Sequence, residues 1–203
     1  MLLARTTTGE IAIPRYSGEL ATCPNCDDQV FGRCGWIVTW HWSHRGGDCD
    51  PWAEPETQWH YQWKTELQSY GAMIEQSILR RGERHRADCI FPDGTVLEIQ
   101  HSAISVDDIK RREAFYGENM IWLFDTRDAV ESKRLHIRRK PDKDTFRWKQ
   151  PRKSIAFCRR GVYLDISDDK LFYLYRMYPD APCGGVGEIV SAGVAFYEFF
   201  QSA

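Results

Sequence analysis

The chain has 203 residues, 42% of them hydrophobic and 28% charged. That suffices for one good core with a small satellite module and excludes a disordered or fibrous protein. The net charge of −2 excludes a polycation, so a nucleic-acid role needs a local basic patch. Seven cysteines, an odd number, with no basic-then-apolar leader at residues 1–15, argue against a disulfide scaffold and for a reducing, cytoplasmic setting. No apolar run approaches the ~18–20 residues of a membrane span.

Residues 1–16 read as two short strands around Thr8-Gly9. Residues 22–51, rich in Cys, His, Gly and Trp, read as a metal-stapled loop or ribbon, and 51–55 as a Pro-containing linker. The spacing of Trp59, Trp63, Leu67, Tyr70, Ile74 and Ile78 predicts one long helix over 56–81, ended by Gly82. Segments 86–91 and 95–102 read as strands joined by Pro92-Asp93-Gly94, in which Pro presets a turn and Gly supplies the left-handed position. Ser105 is placed to cap a helix running to about 117, and 120–125 is an apolar run of strand length. Beyond it, 155–158, 162–166 and 171–177 read as β-segments, 184–187 as a loop and 188–200 as a short amphipathic helix. Val194, Phe196, Tyr197, Phe199 and Phe200 of that helix could pack at home or against a partner, and the sequence leaves protein partners and oligomeric state open. The order predicts a mixed α/β core preceded by a small zinc-binding, β-rich module. The expected divisions are 1–53 for that module, 54–130 for the core and 131–203 for a basic, β-rich extension.

Three groups of residues carry chemistry. Cys23-x2-Cys26 and His41-x2-His44 offer four N/S ligands for a closed, structural Zn²⁺ site, with Cys34 and Cys49 as rivals for a place. Counting outward from the Pro92-Asp93-Gly94 turn sets Asp88 opposite Glu98, with Glu98 and Gln100 on one strand face and Leu97 and Ile99 on the core face. Two facing carboxylates make a hard-oxygen site suited to Mg²⁺ or Mn²⁺. Glu56, His60 and Lys64 recur every fourth residue along the margin of the predicted helix's buried face. Finally, residues 127–160 hold thirteen Lys and Arg against four Asp and Glu, a candidate DNA-binding stretch in which Arg138, Arg139 and Lys140 stand together.

The ordered set Glu56-x3-His60-x3-Lys64, Arg86-Ala87-Asp88, Glu98-Ile99-Gln100-His101-Ser102, Arg112-x3-Tyr116 and Ile121-Trp122, preceded by Cys23-Pro24-Asn25-Cys26 and His41-Trp42-Ser43-His44, resembles the CoiA-like competence nucleases of the PD-(D/E)XK superfamily. The resemblance runs from about residue 23 to 125. It implies a restriction-endonuclease-like mixed sheet flanked by helices, and metal-dependent hydrolysis of phosphodiester bonds in DNA. It makes Asp88 and Glu98 ligands of the catalytic metal. Gln100 departs from the pattern, since the superfamily usually has Lys there to orient the attacking water. Lys64 would supply the missing charge, with Glu56 a third acid and His60 an alternative base. The alternative is a nucleic-acid-binding protein that keeps the fold and the structural zinc but has lost catalysis.

Overall fold

A computed structural model describes residues 1–36, 39–180 and 182–201. The architecture is mixed α/β, mostly sheet, with four α-helices among the described residues. The chain divides into two compact units, 1–90 and 91–203.

The first unit opens with β1 (Ala4–Thr6) and β2 (Ile11–Ala12), antiparallel about a turn in which Gly9 has φ +86°. With β3 (Leu20–Thr22), β4 (Gln29–Arg33) and β5 (His41–Ser43) they form a sheet of order β2-β1-β3-β4-β5. Its core holds Met1, Ala4, Ala21, Cys23, Val30 and Trp42, with Cys26 and Cys49 packed against it.

The long helix predicted over 56–81 is instead a helix followed by a strand. Helix α1 spans Gln58–Ser69 and buries Trp59, Trp63 and Leu67. It ends in a Schellman motif: Gly71, at φ +108°, donates its N–H to the Gln68 carbonyl, and Ala72 donates to Leu67. Strand β6 (Met73–Arg80) follows and turns back into β7 (Glu83–Ile90) through Arg81-Gly82. Both turn residues have positive φ, +53° and +82°, as a two-residue type I′ hairpin requires. Gly82 therefore closes a hairpin. The misreading has a simple cause: Tyr70, Ile74 and Ile78 are spaced by four, which fits a period of two as well as one of 3.6.

In the second unit Phe91 and Thr95 close the Pro92-Asp93-Gly94 turn, with Phe91 N–H on Thr95 O at 2.9 Å and Gly94 at φ +85°. Strand β8 (Val96–Gln100), helix α2 (Val106–Tyr116) and β9 (Met120–Asp125) make a β-α-β unit with parallel strands, Leu97 beside Ile121 and Ile99 beside Leu123. Ser105 caps α2, accepting the Asp108 N–H, and Gly117 at φ +85° ends it. Then come α3 (Arg127–Glu131), β10 (Leu135–Arg138), β11 (Asp144–Trp148), β12 (Gly161–Ser167), β13 (Lys170–Tyr178), β14 (Gly184–Ser191) and α4 (Ala192–Phe200). The strands of this unit lie in the order β10-β11-β14-β13-β12-β9-β8.

Two segments here differ from expectation. Residues 155–158 belong to a 3₁₀ turn, Lys153–Phe157, with Ile155 N–H on Arg152 O and Cys158 N–H on Ile155 O. Only Ile155 of this short apolar segment is buried, too little for a strand to bury a face. The glycine-rich run 184–187 is the start of strand β14, not a loop. A Cβ on Gly187 would lie 2.1 Å from Tyr173 O, and one on Gly185 2.4 Å from Arg176 O. The glycines admit a close neighbouring backbone. Helix α4 accordingly begins at Ala192 rather than 188, and its Phe196, Phe199 and Phe200 pack on Phe91.

Candidate functional site

The metal-ligand cluster of the first unit comprises Cys23, Cys26, His44 and Cys49, whose ligand atoms all lie within 4.8 Å of one another. Cys23 Sγ is 3.8 Å from Cys49 Sγ, and Cys26 Sγ 3.3 Å from His44 Nε2. Tetrahedral Zn–S bonds of about 2.3 Å put sulfur atoms about 3.8 Å apart, so the donor set and its spacing fit a closed Zn²⁺ site.

His41, expected in this set, is replaced by Cys49. His41 opens the three-residue strand β5, and His44 lies just past its end. His41 Nδ1 instead meets Thr39 O at 2.8 Å. The x2 spacing pairs ligands on a tight turn, whereas here an extended strand separates His41 from His44. Cys34, the other rival, stays outside the cluster, its N–H on Ser17 Oγ.

Residues far along the chain bring Cys49 into place. Asp50 accepts the Arg86 N–H at 2.7 Å and holds His85 Nδ1 at 2.9 Å, while Trp52 stacks on the His85 ring with centroids 3.2 Å apart. Asp48 pairs with the Arg86 guanidinium at 3.4 Å. On the other arm Arg84 donates to Asn25 O at 2.6 Å, and Asn25 in turn sends its N–H to Cys23 Sγ and Nδ2 to Cys49 Sγ, both at 3.3 Å. Outer partners of this kind orient ligands and tune thiolate basicity. Burial pushes the Cys49 thiol up to about 12 and raises Cys26 as well, so metal binding there must displace protons.

A second cluster surrounds Lys64 on α1. Its Nζ lies 3.2 Å from Glu56 Oε2, 3.0 Å from Glu75 Oε1 and 3.0 Å from Asp88 Oδ1. The side chains of Lys64, Glu56 and Glu75 are almost wholly buried, whereas Asp88 is 22% exposed. Burial disfavours the Lys64 ammonium, but Glu56, Glu75 and Asp88 outweigh it and hold its pKa well above the usual lysine value. Burial likewise works against the Glu75 carboxylate, yet Lys64 holds its pKa below the usual range. Glu56 Oε1 is buried without a hydrogen-bond partner among the described residues.

Glu75 went unnoticed in the sequence because it fell inside a predicted helix. It falls in the gap of the β6–β7 ladder between the Ile74–Cys89 and Gln76–Ala87 pairs, as Asp88 does, with φ +53°, a strained conformation for a residue with a side chain. The distortion buries both Ile74 and Glu75 in succession. Glu75 Oε2 also accepts the backbone N–H groups of Leu2 and Leu3 at 2.7 and 2.9 Å. His60 completes a capping box, taking the Thr57 N–H on Nδ1 and donating its own N–H to Thr57 Oγ1. Its Nε2 is 3.4 Å from Glu54. Burial opposes the imidazolium, but Glu54 and Asp88 raise its pKa above the ordinary value.

In the second unit Glu98 and Gln100 are each 2% exposed. Arg112 of α2 donates to Glu98 Oε2 at 2.7 Å, and Gln100 Nε2 donates to Ser102 O at 3.2 Å. His101, on the other face, pairs with Asp125 at 2.7 Å. Arg138 ends β10, and Arg138, Arg139 and Lys140 are exposed. Among the described residues no helix is long and apolar enough to cross a membrane. No family model, no curated protein and no solved structure matches this chain.

Proposed function

We propose that the chain is a divalent-metal-dependent nuclease hydrolysing phosphodiester bonds in DNA, related in its motif order to the CoiA-like family. The observation that carries this reading is the meeting of Lys64 with Asp88 at 3.0 Å. A lysine on a helix reaches the very carboxylate that the motif order marks as a metal ligand, while Gln100 stands where that lysine is usual. Glu56, Glu75 and Asp88 converge on Lys64, with Arg86 a further cation beside Glu75, Glu56 Oε1 has no hydrogen-bond partner among the described residues, and Asp88 alone of the three carboxylates opens to water. Hard oxygen of this kind suits a hard cation. Asp88 would hold it, with Glu56 a further acid, and the motif order names Glu98 as the other ligand. When bound, Mg²⁺ or Mn²⁺ supplies Lewis-acid stabilisation of charge building on the phosphoryl oxygens. Lys64 orients Asp88 and adds fixed positive charge beside it. His60 starts the helix that delivers Lys64, and Zn²⁺ at Cys23, Cys26, His44 and Cys49 holds the small sheet together.

The experiment is incubation with single-stranded and duplex DNA and with RNA, each with Mg²⁺, Mn²⁺ or neither. Cleavage should require the metal and fall at least ~10²-fold in Asp88→Asn, the scale of losing one charge-stabilising or acid–base group, with little change in melting temperature. A second reading, a nucleic-acid-binding protein without catalysis, is favoured by the Glu98–Arg112 pair at 2.7 Å, which engages a carboxylate the first reading gives to metal. Binding with no cleavage under any metal would establish it and overturn the first.

A further inference from the structure

The edge hairpin of the second unit carries a cavity of about 820 Å³ lined by His136, Arg138, Lys140, Arg147, Lys149 and Lys153, with no Asp or Glu among its described lining residues. Its origin is the strand register. His136 faces Arg147 and Arg138 faces Thr145 across β10 and β11, so alternate residues of both strands put their polar side chains on one face. The intervening residues Leu135, Phe146 and Trp148 are buried. The acid within these two strands is turned away: Asp144 lies on the buried side, with Oδ2 accepting the Ile189 N–H at 2.9 Å, and Asp142 in the connection between them does not line the cavity. Among the described residues none of Arg138, Lys140, Arg147, Lys149 and Lys153 has a carboxylate partner. Arg138 and Arg147 lie diagonally across the two strands, close enough for their like charges to repel, and an anion between them relieves that repulsion.

We infer that this cavity is a phosphate-backbone site for single-stranded nucleic acid. The inference rests on the nuclease reading for the class of polymer and adds the strand type and the site. Several cations in a row match a chain of phosphates better than a single carboxylate, and a positively charged groove that tracks the backbone is how single strands are held. Trp148 and Phe146 are 4% exposed and offer no face for stacking, so recognition falls on the backbone and is tolerant of sequence. Of the exposed basic triplet, Arg138 and Lys140 line the cavity and Arg139 does not.

The test is fluorescence anisotropy of a labelled oligothymidylate with the full chain, without added divalent cation, over a range of salt. A duplex of equal length and inorganic phosphate serve as competitors. The parent should bind the single strand, and the triple variant Arg138→Glu, Arg147→Glu, Lys149→Glu should bind at least tenfold more weakly. With about 0.7 counterions released per phosphate on a single strand, losing three contacts should flatten the log–log salt slope by about 2. The neutral variant Arg138→Gln, Arg147→Gln, Lys149→Gln should do the same to a smaller extent, and it gives the reading should the Glu variant fail to fold. Unchanged affinity and slope in the variants overturn the site. Duplex competing as well as single strand overturns the strand assignment, and inorganic phosphate competing at equal phosphate concentration overturns the polymer. Binding lost in the variants without any cleavage by the parent overturns the nuclease reading alone. Cleavage intact with binding unchanged overturns the cavity alone.

Discussion

Lys64→Met keeps most of the side-chain volume and removes the charge. Three carboxylates then face one another, two of them almost fully buried, with no ammonium at 3.0–3.2 Å. Removing one partner of a buried ion pair costs about 3–5 kcal/mol, because the remaining charges lose their compensation. For a chain of this size that corresponds to a fall in melting temperature of roughly 6–20 °C, read by tryptophan fluorescence. The pH dependence follows from the shifts. Glu75 has its folded pKa depressed, so its contribution is present above the unfolded carboxylate value of about 4.3 and is lost as pH falls through the folded one. Lys64 has its folded pKa raised, so its contribution is present below about 10.4 and is lost as pH rises through the folded value. The deficit of the variant should therefore be full between about pH 5 and 10 and shrink in strong acid, where the carboxylates take up protons. Glu75→Gln added to Lys64→Met should recover part of the stability. A melting temperature within about 2 °C of the parent at neutral pH would refute the reasoning, since the carboxylates would then not depend on the ammonium.

Freshly purified protein should carry about one zinc per chain. Cys49→Ser should lose it together with most soluble protein, and His41→Ala should keep it, which metal analysis of the two variants decides. Gly187→Ala should lower stability by about 1–3 kcal/mol in a denaturant titration, because its Cβ would meet Tyr173 O at 2.1 Å and force the paired strands apart. Asp88→Asn should remove metal-dependent cleavage while leaving the melting curve in place, since Asp88 is the most exposed carboxylate of its cluster.

What the sequence made legible was local. Ser105 and Gly117 bracket α2 with signals that act within one turn, and Pro92-Asp93-Gly94 closes on Phe91 and Thr95 without help from elsewhere. The failures came where a local pattern has two physical meanings. Apolar residues four apart served the strand β6 as well as they would have served a helix, and the deciding signal was Gly71, whose left-handed φ ends α1. Glycines at 184–187 signal a loop when read alone and a close backbone contact once β13 lies beside them. The fourth member of the Cys/His cluster was a question of distance along the chain. Cys49 lies 26 residues from Cys23, and Asp48 and Asp50 fasten its loop to β7, partners that no spacing rule ties to a cysteine.

Glu75 connects the two clusters of the first unit. One oxygen of its carboxylate accepts the N–H groups of Leu2 and Leu3, which lead into the small sheet, and the other meets Lys64. A residue held at φ +53° is strained by about 1–3 kcal/mol. That strain persists because it lets consecutive residues turn inward, Ile74 into the apolar core and Glu75 toward the ammonium. An unstrained strand would alternate and turn one of them outward. The same carboxylate thus contacts the start of the small sheet and sets the charge around Asp88, so the sheet that bears the Cys/His cluster and the electrostatics of the proposed site share one bond network. Of the three carboxylates around Lys64 only Asp88 reaches water, and this accessible oxygen is the one to which the proposed cation would bind.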